Sequence, residues 1–265
     1  MFFSIGCALE NLLLTARANG LEAKVTLLPG KLALPSREPK PELAVRIELS
    51  PGSRVASELF DAIPHRHTNR SIFDASRQIP GEFIHSITSV VHDDDKGIRL
   101  FLFVSEGDRK RIADAIWDAS QSFIADPAVR RSTQPWYRSN VEQVQKFRDG
   151  AYIGDPDPAS YVDSMMSGRV FGLIAVRDRY DRPETIRAGR IWQRAHLLAT
   201  ARGLAARPAN AAVEVIDNER RLNLEPKTSA RLAQFTGDIC KMDELEPAEI
   251  RYATTSAWSP PPSHL

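Results

Sequence analysis

Apolar residues recur every three or four positions in two long segments of the chain, and this spacing predicts an amphipathic helix in each. The apolar face of the first consists of Ile5, Ala8, Leu9, Leu12, Leu13 and Ala16. That of the second consists of Ala188, Ile191, Trp192, Ala195, Leu198 and Ala199. Each segment ends at a Gly-Leu pair, as expected where glycine takes the left-handed conformation after the last helical turn.

The two predicted helices are also similar in sequence. Gly6–Lys24 reads GCALENLLLTARANGLEAK, and a shift of 183 positions lays it on Gly189–Arg207. The shift matches seven identical pairs: Gly6/Gly189, Leu14/Leu197, Ala16/Ala199, Ala18/Ala201, Gly20/Gly203, Leu21/Leu204 and Ala23/Ala206. Either the segments are unrelated helices rich in alanine and leucine, or the chain is internally duplicated. A duplication predicts that the two helices face each other as the subunits of a symmetric dimer do.

Shorter apolar runs predict the remaining elements. The predicted strands are Ala23–Leu28, Leu43–Leu49, Ile98–Val104, Val170–Val176 and Glu249–Ala253. The predicted helices are Ser57–Ile63 and Asp108–Phe123, while Phe83–Val91 is open between helix and strand. The sequence PANAAVEVIDN after Arg207 is predicted as a loop leading into short helices near Glu219–Leu222 and Thr228–Phe235. The final SPPPSHL is predicted as a disordered tail, and DRPE at Asp181–Glu184 as a capping box.

Helices and strands are mixed without the regular alternation that builds a parallel sheet, which favours an α+β fold. The chain also lacks the GxGxxG motif of a dinucleotide-binding Rossmann sheet. Between Asp126 and about Pro158 the periodicity is lost, and an irregular segment of this length is often a lid or a binding loop. Its Trp136, Tyr137 and Arg138 either cover a pocket or pack the loop on the core.

Composition narrows the class of protein. The 265 residues are 42% hydrophobic and carry a net charge of +1, which argues against a nucleic-acid-binding surface and against a membrane protein. SIGC near the start weakly resembles a lipoprotein cleavage box, but Glu10 and Asn11 interrupt the apolar run, so a helix is favoured. Two cysteines and six scattered histidines predict neither a disulfide framework nor a metal site, and they indicate a reducing cytoplasm.

The strongest candidate for chemistry is the segment RHTNR at Arg66–Arg70. Two guanidinium groups, an imidazole and a hydroxyl within five residues suit a phosphate, because arginine binds phosphate through two parallel hydrogen bonds. Free backbone N–H groups at a nearby helix start would add to the attraction. The alternative is a solvated basic turn with no ligand.

These residues give the sequence a resemblance to a known family. It resembles the nitroreductase superfamily, and more narrowly the Acg-type branch of FMN-binding nitroreductase-like proteins. The resemblance is carried by RHTNR, by AGRIWQRAHLLATARGL at Ala188–Leu204, and by the first helix at Gly6–Leu21 with its AVRIEL strand. It extends from Ser4 to about Ala253, and the order and spacing of the motifs are more specific than any one of them.

The resemblance implies a nitroreductase-like α+β fold with a central, mainly antiparallel sheet and helices on both faces. It implies two halves fused into a single-chain pseudo-dimer, with residues 1–54 a remnant of the first half and residues 55–265 the second. FMN would lie between the halves. By position, Arg66, His67, Thr68 and Arg70 would hold its phosphate and ribityl chain. Pro208, Ala209 and Asn210, with Glu214 a weaker candidate, would lie near the isoalloxazine ring.

Three features depart from the family pattern. The first repeat begins five residues into the chain, whereas Arg66 precedes Gly189 by 123 positions, which implies that the first half lacks its opening segments. Relatives tend to end in an arginine-containing SPRR-type sequence, but Ser259 is followed here by three prolines. The QPW at Gln134–Trp136 is similar to a flavin motif of ordinary nitroreductases, but its position indicates coincidence.

Two functions from different classes follow. The first is an FMN-dependent oxidoreductase that takes hydride from NAD(P)H and passes it through the flavin to a small nitro or quinone acceptor. The alternative is a non-catalytic protein that binds or sequesters flavin. Neither needs a protein nucleophile, because the cofactor carries the redox chemistry. The sequence leaves the electron acceptor open, and a homodimer is compatible with both functions.

Overall fold

The computed structural model describes residues 2–31, 41–69, 71–74, 76–92, 95, 97–128, 131, 142, 166–228, 230–232 and 251–259. Arg70, most of the segment predicted as a lid and the prolines after Ser259 therefore lie outside the described residues. Helices and antiparallel strands make up the described part, which confirms the predicted mixed class.

The N-terminal region forms a helix followed by a two-stranded sheet. Helix α1 (Phe2–Ala18) is followed two residues later by Gly20, whose φ of +75° lies in the left-handed region that favours glycine. Strand β1 (Leu21–Leu27) then pairs antiparallel with β2 (Val45–Pro51), with Leu27 opposite Val45. Strand β1 alternates between half-buried and exposed positions throughout, and β2 does so only as far as Glu48. Their half-buried residues Ala23, Val25, Leu27, Val45 and Ile47 pack in the cluster that contains α1. The predicted helix and both predicted strands are confirmed.

Two short helices follow. Helix α2 (Glu58–Ala62) begins where the Ser57 hydroxyl accepts a hydrogen bond from the backbone N–H of Leu59, and it continues into a 3-10 turn at Ile63–His65. Helix α3 (Gly81–Thr88) settles the segment that was open between helix and strand. Its buried Phe83 and Ile87 are four positions apart, so they share one helical face.

The larger part contains a four-stranded antiparallel sheet. Its strands are β3 (Arg99–Phe103), β4 (Val170–Val176), β5 (Ala205–Pro208) and β6 (Arg251–Ser259), in the order β3-β4-β6-β5. Every residue of β4 is buried. The long helices are α4 (Glu106–Ala125), α5 (Arg182–Ala201) and α6 (Ala211–Arg221). Helix α5 begins with the predicted cap, because the Asp181 carboxylate accepts from the backbone N–H of Glu184.

The sheet separates two hydrophobic clusters. Phe101 and Phe103 of β3 point to the cluster that contains α4 and α6, whereas Leu100 and Leu102 point to the cluster that contains α3 and α5. This alternation is the period of two expected along a strand. Helices therefore cover both faces of the sheet. Within the described residues, none of the helices combines the length and the apolar character that crossing a bilayer requires.

The region from Ala205 onward corrects the sequence prediction in three places. Ala211–Arg221 is a continuous helix where a loop was predicted, because Val213, Val215 and Ile216 pack into the cluster beside α4 and packing outweighs their low helix propensity. Strand β5 was not predicted at all. Strand β6 continues to Ser259, beyond the predicted end at Ala253, because both of its edges are paired.

The two similar helices, α1 and α5, pack directly against each other at a pair of glycines. A Cβ on Gly6 would press on the carbonyl oxygen of Ile186, and a Cβ on Gly189 would press on that of Phe3. The shift of 183 positions lays Phe3 on Ile186, so the two contacts are equivalents exchanged between the helices. Exchanged contacts of this kind are the mark of a two-fold relationship.

A second pair of exchanged contacts lies one helical turn further on. The Gln193 amide donates to Asn11 Oδ1 over 2.8 Å, and Arg194 lies 3.5 Å from the Glu10 carboxylate. Under the same shift, Glu10 falls on Gln193 and Asn11 on Arg194. The packing is therefore what an internal duplication requires. The common origin of the halves, and the division at residues 54 and 55, stay predictions.

Candidate functional site

The segment from Arg66 to Asn69 is fixed to strand β5. After the 3-10 turn the chain runs beside that strand, with Thr68 in a parallel bridge to Ala206. The backbone N–H of Asn69 donates to the Ala206 carbonyl over 3.1 Å. The Asn69 side chain is 3% exposed, and it exchanges hydrogen bonds of 3.1 and 3.2 Å with the backbone of Ser71. These contacts fix the backbone from which the side chains of Arg66, His67 and Thr68 extend.

His196, on α5, connects this segment to the central helix. Its Nε2 lies 3.0 Å from the His67 carbonyl oxygen, so Nε2 carries the proton. The unprotonated Nδ1 then accepts a long hydrogen bond of 3.4 Å from Arg66 Nη1. Burial, reinforced by the nearby Arg66 charge, lowers the pKa of His196 to about 4. The imidazole is therefore neutral near pH 7, and it orients the guanidinium without opposing its charge.

Arg66 and Thr68 offer hydrogen-bond donors to a ligand, whereas the proton on His67 Nδ1 is already donated to the His65 carbonyl oxygen. Arg66 is half-buried, and beyond its bond to His196 its guanidinium makes no other hydrogen bond to the described residues. His67 is exposed, with Nδ1 3.2 Å from the His65 carbonyl oxygen. The half-buried Thr68 hydroxyl has no hydrogen bond within the described part of the chain. This set of donors suits an anion with several oxygens.

The predicted loop at Pro208–Asn210 follows directly on the strand to which Thr68 is bridged. Pro208, the last residue of β5, is exposed, Ala209 is fully buried, and Asn210 is half-buried at the residue before α6. Because Thr68 pairs with Ala206, Pro208 lies roughly 7 Å further along the strand. The structure thus brings the two predicted parts of the site next to each other, although Arg70 lies outside the described residues.

Glu214, the weaker candidate for the ring end, lies in the first turn of α6. Neighbouring protein removes water from its carboxyl group and raises its pKa, an effect that Arg179 opposes and Asp217 adds to. The residue as a whole remains exposed. The Glu214 carboxyl group therefore keeps its proton to a higher pH than that of an ordinary glutamate.

Cys7 lies in the contact between α1 and α5, close to Arg66. Its thiol donates to the Gly189 carbonyl over 3.3 Å. Burial raises the pKa of the thiol to about 11, although the charge of Arg66 acts in the opposite direction. Since the thiolate is the nucleophilic form, Cys7 is inert at neutral pH. No group of three or more metal-binding side chains occurs among the described residues.

A separate cavity of about 100 Å³ lies between α3, α4 and the edge where β3 ends and β4 begins. Of the residues predicted to bind flavin, none of those that the structure describes lines it. Pockets for small molecules usually enclose about 300–1,000 Å³. This cavity is therefore distinct from the Arg66 segment and too small for a flavin nucleotide.

Sequence reasoning missed His196 and strand β5, although the repeat contained a signal for each. His196 follows Gly189 by seven positions, which places it on the same side of the helix as the glycine that meets α1. Strand β1 follows α1 after a glycine, and the 183-residue shift lays Glu22–Val25 on Ala205–Pro208. Carrying the first copy's strand into the second copy would have predicted β5.

Comparison with known proteins gives distant similarities. No family model and no curated protein matches the chain. Among solved structures, a nitroreductase with bound FMN from Bacteroides fragilis is 11% identical, over 79% of this chain and 91% of that one, at a TM-score of 0.48. A nitroreductase with bound FMN from Desulfitobacterium hafniense is 10% identical, over 80% and 93%, at 0.49. The FMN-dependent nitroreductase NfnB from Mycobacterium smegmatis, in complex with NADPH, is 13% identical, over 77% and 88%, at 0.41.

Proposed function

We propose that this chain is an FMN-binding, NAD(P)H-dependent oxidoreductase of the nitroreductase type, which passes hydride through the flavin to a small nitro or quinone acceptor. The observation that carries the proposal is the Arg66 guanidinium, which a neutral, buried His196 orients while its other donors stay open to a ligand. The RHTNR motif and its order relative to the AGRIWQRAH helix support the same conclusion.

The phosphate end of the cofactor fits the donors that are present. Arg66 would bind two phosphate oxygens through its fork of N–H groups, and the Thr68 hydroxyl would donate to a third. His67 would contact the phosphate or the ribityl chain, and Arg70 joins this set on the sequence resemblance alone. Because the backbone of the segment is bonded to β5, these donors are already placed before a ligand arrives.

The ring end would lie against Pro208, Ala209 and Asn210. The flavin, when bound, supplies the hydride chemistry. The protein would contribute backbone groups of this loop, and the Asn210 side chain, as hydrogen-bonding partners at the edge of the ring. The single-chain pseudo-dimer belongs to the same proposal, supported by the exchanged contacts between α1 and α5.

His196 is a positioning residue in this proposal. His196 would not contact the cofactor. It holds the Arg66 guanidinium, which would contact the phosphate, and the His67 carbonyl group, which precedes Thr68. Trp192, one turn earlier on α5, packs its ring 5.2 Å from the imidazole and limits the rotation of His196. The site is thereby anchored to the central helix as well as to the sheet.

The test compares FMN with riboflavin, which has no phosphate. Arg66→Ala should weaken FMN binding about 10- to 150-fold, because a charge-assisted hydrogen bond is worth about 1.5–3 kcal/mol, and it should leave riboflavin binding almost unchanged. Fluorescence titration of each flavin measures both affinities. Arg46→Ala removes an exposed arginine from β2 and serves as the charge-matched control. Equal FMN affinity in wild type and Arg66→Ala would contradict the assignment.

The absorbance spectrum of the purified protein distinguishes the oxidoreductase from the non-catalytic alternative. A flavin spectrum that is bleached by NADPH and restored by menadione or a nitrofuran supports the enzyme. Bound flavin that NAD(P)H does not reduce supports a sequestering protein. The Arg66 segment would bind the flavin phosphate in that case too. A colourless protein without affinity for FMN rules out both.

A further inference from the structure

The cavity of about 100 Å³ outside the Arg66 segment is lined by two cationic side chains from different elements. Arg109 comes from the first turns of α4, and Arg169 immediately precedes β4. Gln78 adds an amide, while Ile79, Ile84 and Val170 supply apolar walls. Among the described residues, none of those that line the cavity is acidic.

Among the residues that line the cavity, Arg109 is the one that indicates a ligand. Its backbone is satisfied, because its N–H donates to the Ser105 carbonyl over 2.9 Å. Its Nε, however, is buried and has no hydrogen-bond partner among the described residues. A buried donor without a partner destabilises the fold unless a ligand satisfies it. Arg169 has interactions of its own within the protein, so the argument rests on Arg109.

The size and lining of the cavity define the ligand that fits. A volume of about 100 Å³ corresponds to roughly three water molecules, which is the scale of a single small anion. Guanidinium groups match the planar geometry of a carboxylate and the spacing of phosphate oxygens. The cavity is half open to solvent, so its apolar side chains remove only the part of an anion's hydration shell that faces them.

We propose that this cavity binds a small oxyanion, either a carboxylate or a phosphoryl group, with Arg109 as the principal donor. Nε and one Nη of Arg109 would form two parallel hydrogen bonds to the oxyanion. Arg169 would add a second positive charge and Gln78 an amide donor at the mouth. The site shares no residue with the Arg66 segment, so it does not depend on flavin binding.

The test uses Arg109→Met, which keeps the length of the side chain and removes its charge and donors. Thermal unfolding is followed while chloride is replaced by propionate or by inorganic phosphate at constant ionic strength. Wild type should show a saturable rise in Tm with at least one of them, because a ligand that binds only the folded state stabilises it. Arg109→Met should lack the rise with propionate and keep at most the part of the phosphate rise that the Arg66 segment provides. In chloride it should be at least as stable as wild type.

Lys110→Met is the matched control, because it removes the neighbouring positive charge from an exposed position and should keep the full response. General salt effects raise Tm equally in all three proteins and do not saturate. Saturation by propionate alone identifies a carboxylate site, and saturation by phosphate alone a phosphoryl site. The proposal is overturned if wild type and Arg109→Met respond alike, if wild type responds to neither anion, or if Arg109→Met is less stable than wild type in chloride.

Arg66→Ala separates this inference from the proposed function. It should leave the propionate response unchanged and remove only the part of the phosphate response that the proposed FMN-phosphate donors provide. A phosphate response that persists in Arg66→Ala and is lost in the Arg66→Ala/Arg109→Met double variant belongs to the cavity. Complete loss of both responses in Arg66→Ala would show that the anions bind at the Arg66 segment instead, and it would overturn the assignment to the cavity.

Discussion

At the scale of single residues, His196 joins parts of the chain that are far apart in sequence. The residue is 1% exposed, yet both ring nitrogens have partners, the His67 carbonyl oxygen on one side and Arg66 on the other. A buried histidine with two such partners is held in one tautomer. Its protonation would place a second positive charge beside Arg66, so the folded state disfavours the protonated ring.

This arrangement predicts a pH dependence of stability. The folded-state pKa of His196 is about 4, compared with an ordinary value of 6.5. As the pH falls below 6.5, the unfolded chain takes up a proton that the folded chain accepts only near pH 4. The resulting stabilisation is complete above pH 6.5 and is lost between pH 6.5 and 4. Its magnitude is on the order of 3 kcal/mol.

His196→Gln removes the titrating group but keeps an N–H donor for the His67 carbonyl. Urea unfolding of both proteins between pH 4 and pH 7 measures the difference in slope. The pKa of His92 is also lowered, by burial and then by Arg194, but that residue is present in both proteins and its contribution cancels. Parallel curves would contradict the prediction, because they would mean that His196 takes up its proton at the same pH in the folded and the unfolded chain.

At the scale of elements, helices α1 and α5 are in close backbone contact at Gly6 and Gly189. Gly6 lies so near the backbone of α5 that a Cβ would come within 3.0 Å of the Gly189 Cα and the Arg190 nitrogen, and closer still to the Ile186 carbonyl oxygen. Backbone atoms cannot move aside as flexible side-chain ends can. The two glycines therefore set the distance between the helices.

Gly6→Ala should destabilise the protein by at least about 1–3 kcal/mol, the usual effect of overpacking a well-packed contact. Gly107→Ala is the matched control, because Gly107 is also helical and an added Cβ would meet nothing within 4 Å. It should be neutral or more stable by up to about 1 kcal/mol, since alanine favours helix over glycine. Denaturant midpoints compare the two, and equal effects would mean that the helices are further apart than the structure shows.

At the scale of the whole molecule, a buried ionic network ties the N-terminal helix to the rest of the chain. Glu10 accepts from Arg190 Nε over 2.7 Å and lies 3.5 Å from Arg194, which also bonds to Asp95. The side chains of Glu10, Arg194 and Asp95 are each at most 5% exposed. Removing one partner from such a network leaves a charge buried without compensation.

Glu10→Gln should therefore lower the free energy of unfolding by about 3–5 kcal/mol. Glu58→Gln breaks the pair between Glu58 and Arg202, in which the side chains are 50% and 33% exposed, and it should change stability by at most about 1 kcal/mol. Chemical denaturation at pH 7 measures both. A small effect of Glu10→Gln would indicate that water reaches the network and that α1 is only loosely attached.

The elements that were predicted correctly from the sequence are those whose sequence signals lie within the element or at its ends. Helices α1, α4 and α5 and strands β1 to β4 are marked by periodicity, by caps such as Asp181 and by terminal glycines, all of which act within a few residues. Helix α6, strand β5 and the length of β6 were missed or predicted too short. Each depends on a partner distant in sequence, such as the pairing of Ala206 with Trp258.

The candidate site likewise has one part that the sequence predicts and another that only the fold brings together. The sequence by itself determined that Arg66, His67 and Thr68 form a cluster of donors, because adjacent residues are close in any fold. Only the tertiary structure decided that the segment is bonded to β5, that a neutral His196 orients Arg66, and that Arg109 reaches a cavity with its Nε unsatisfied. The first two relations join segments more than 100 positions apart, and the cavity joins Arg109 to Gln78 and Arg169, which are 31 and 60 positions away. No local pattern of residues encodes these distances or the burial of these groups.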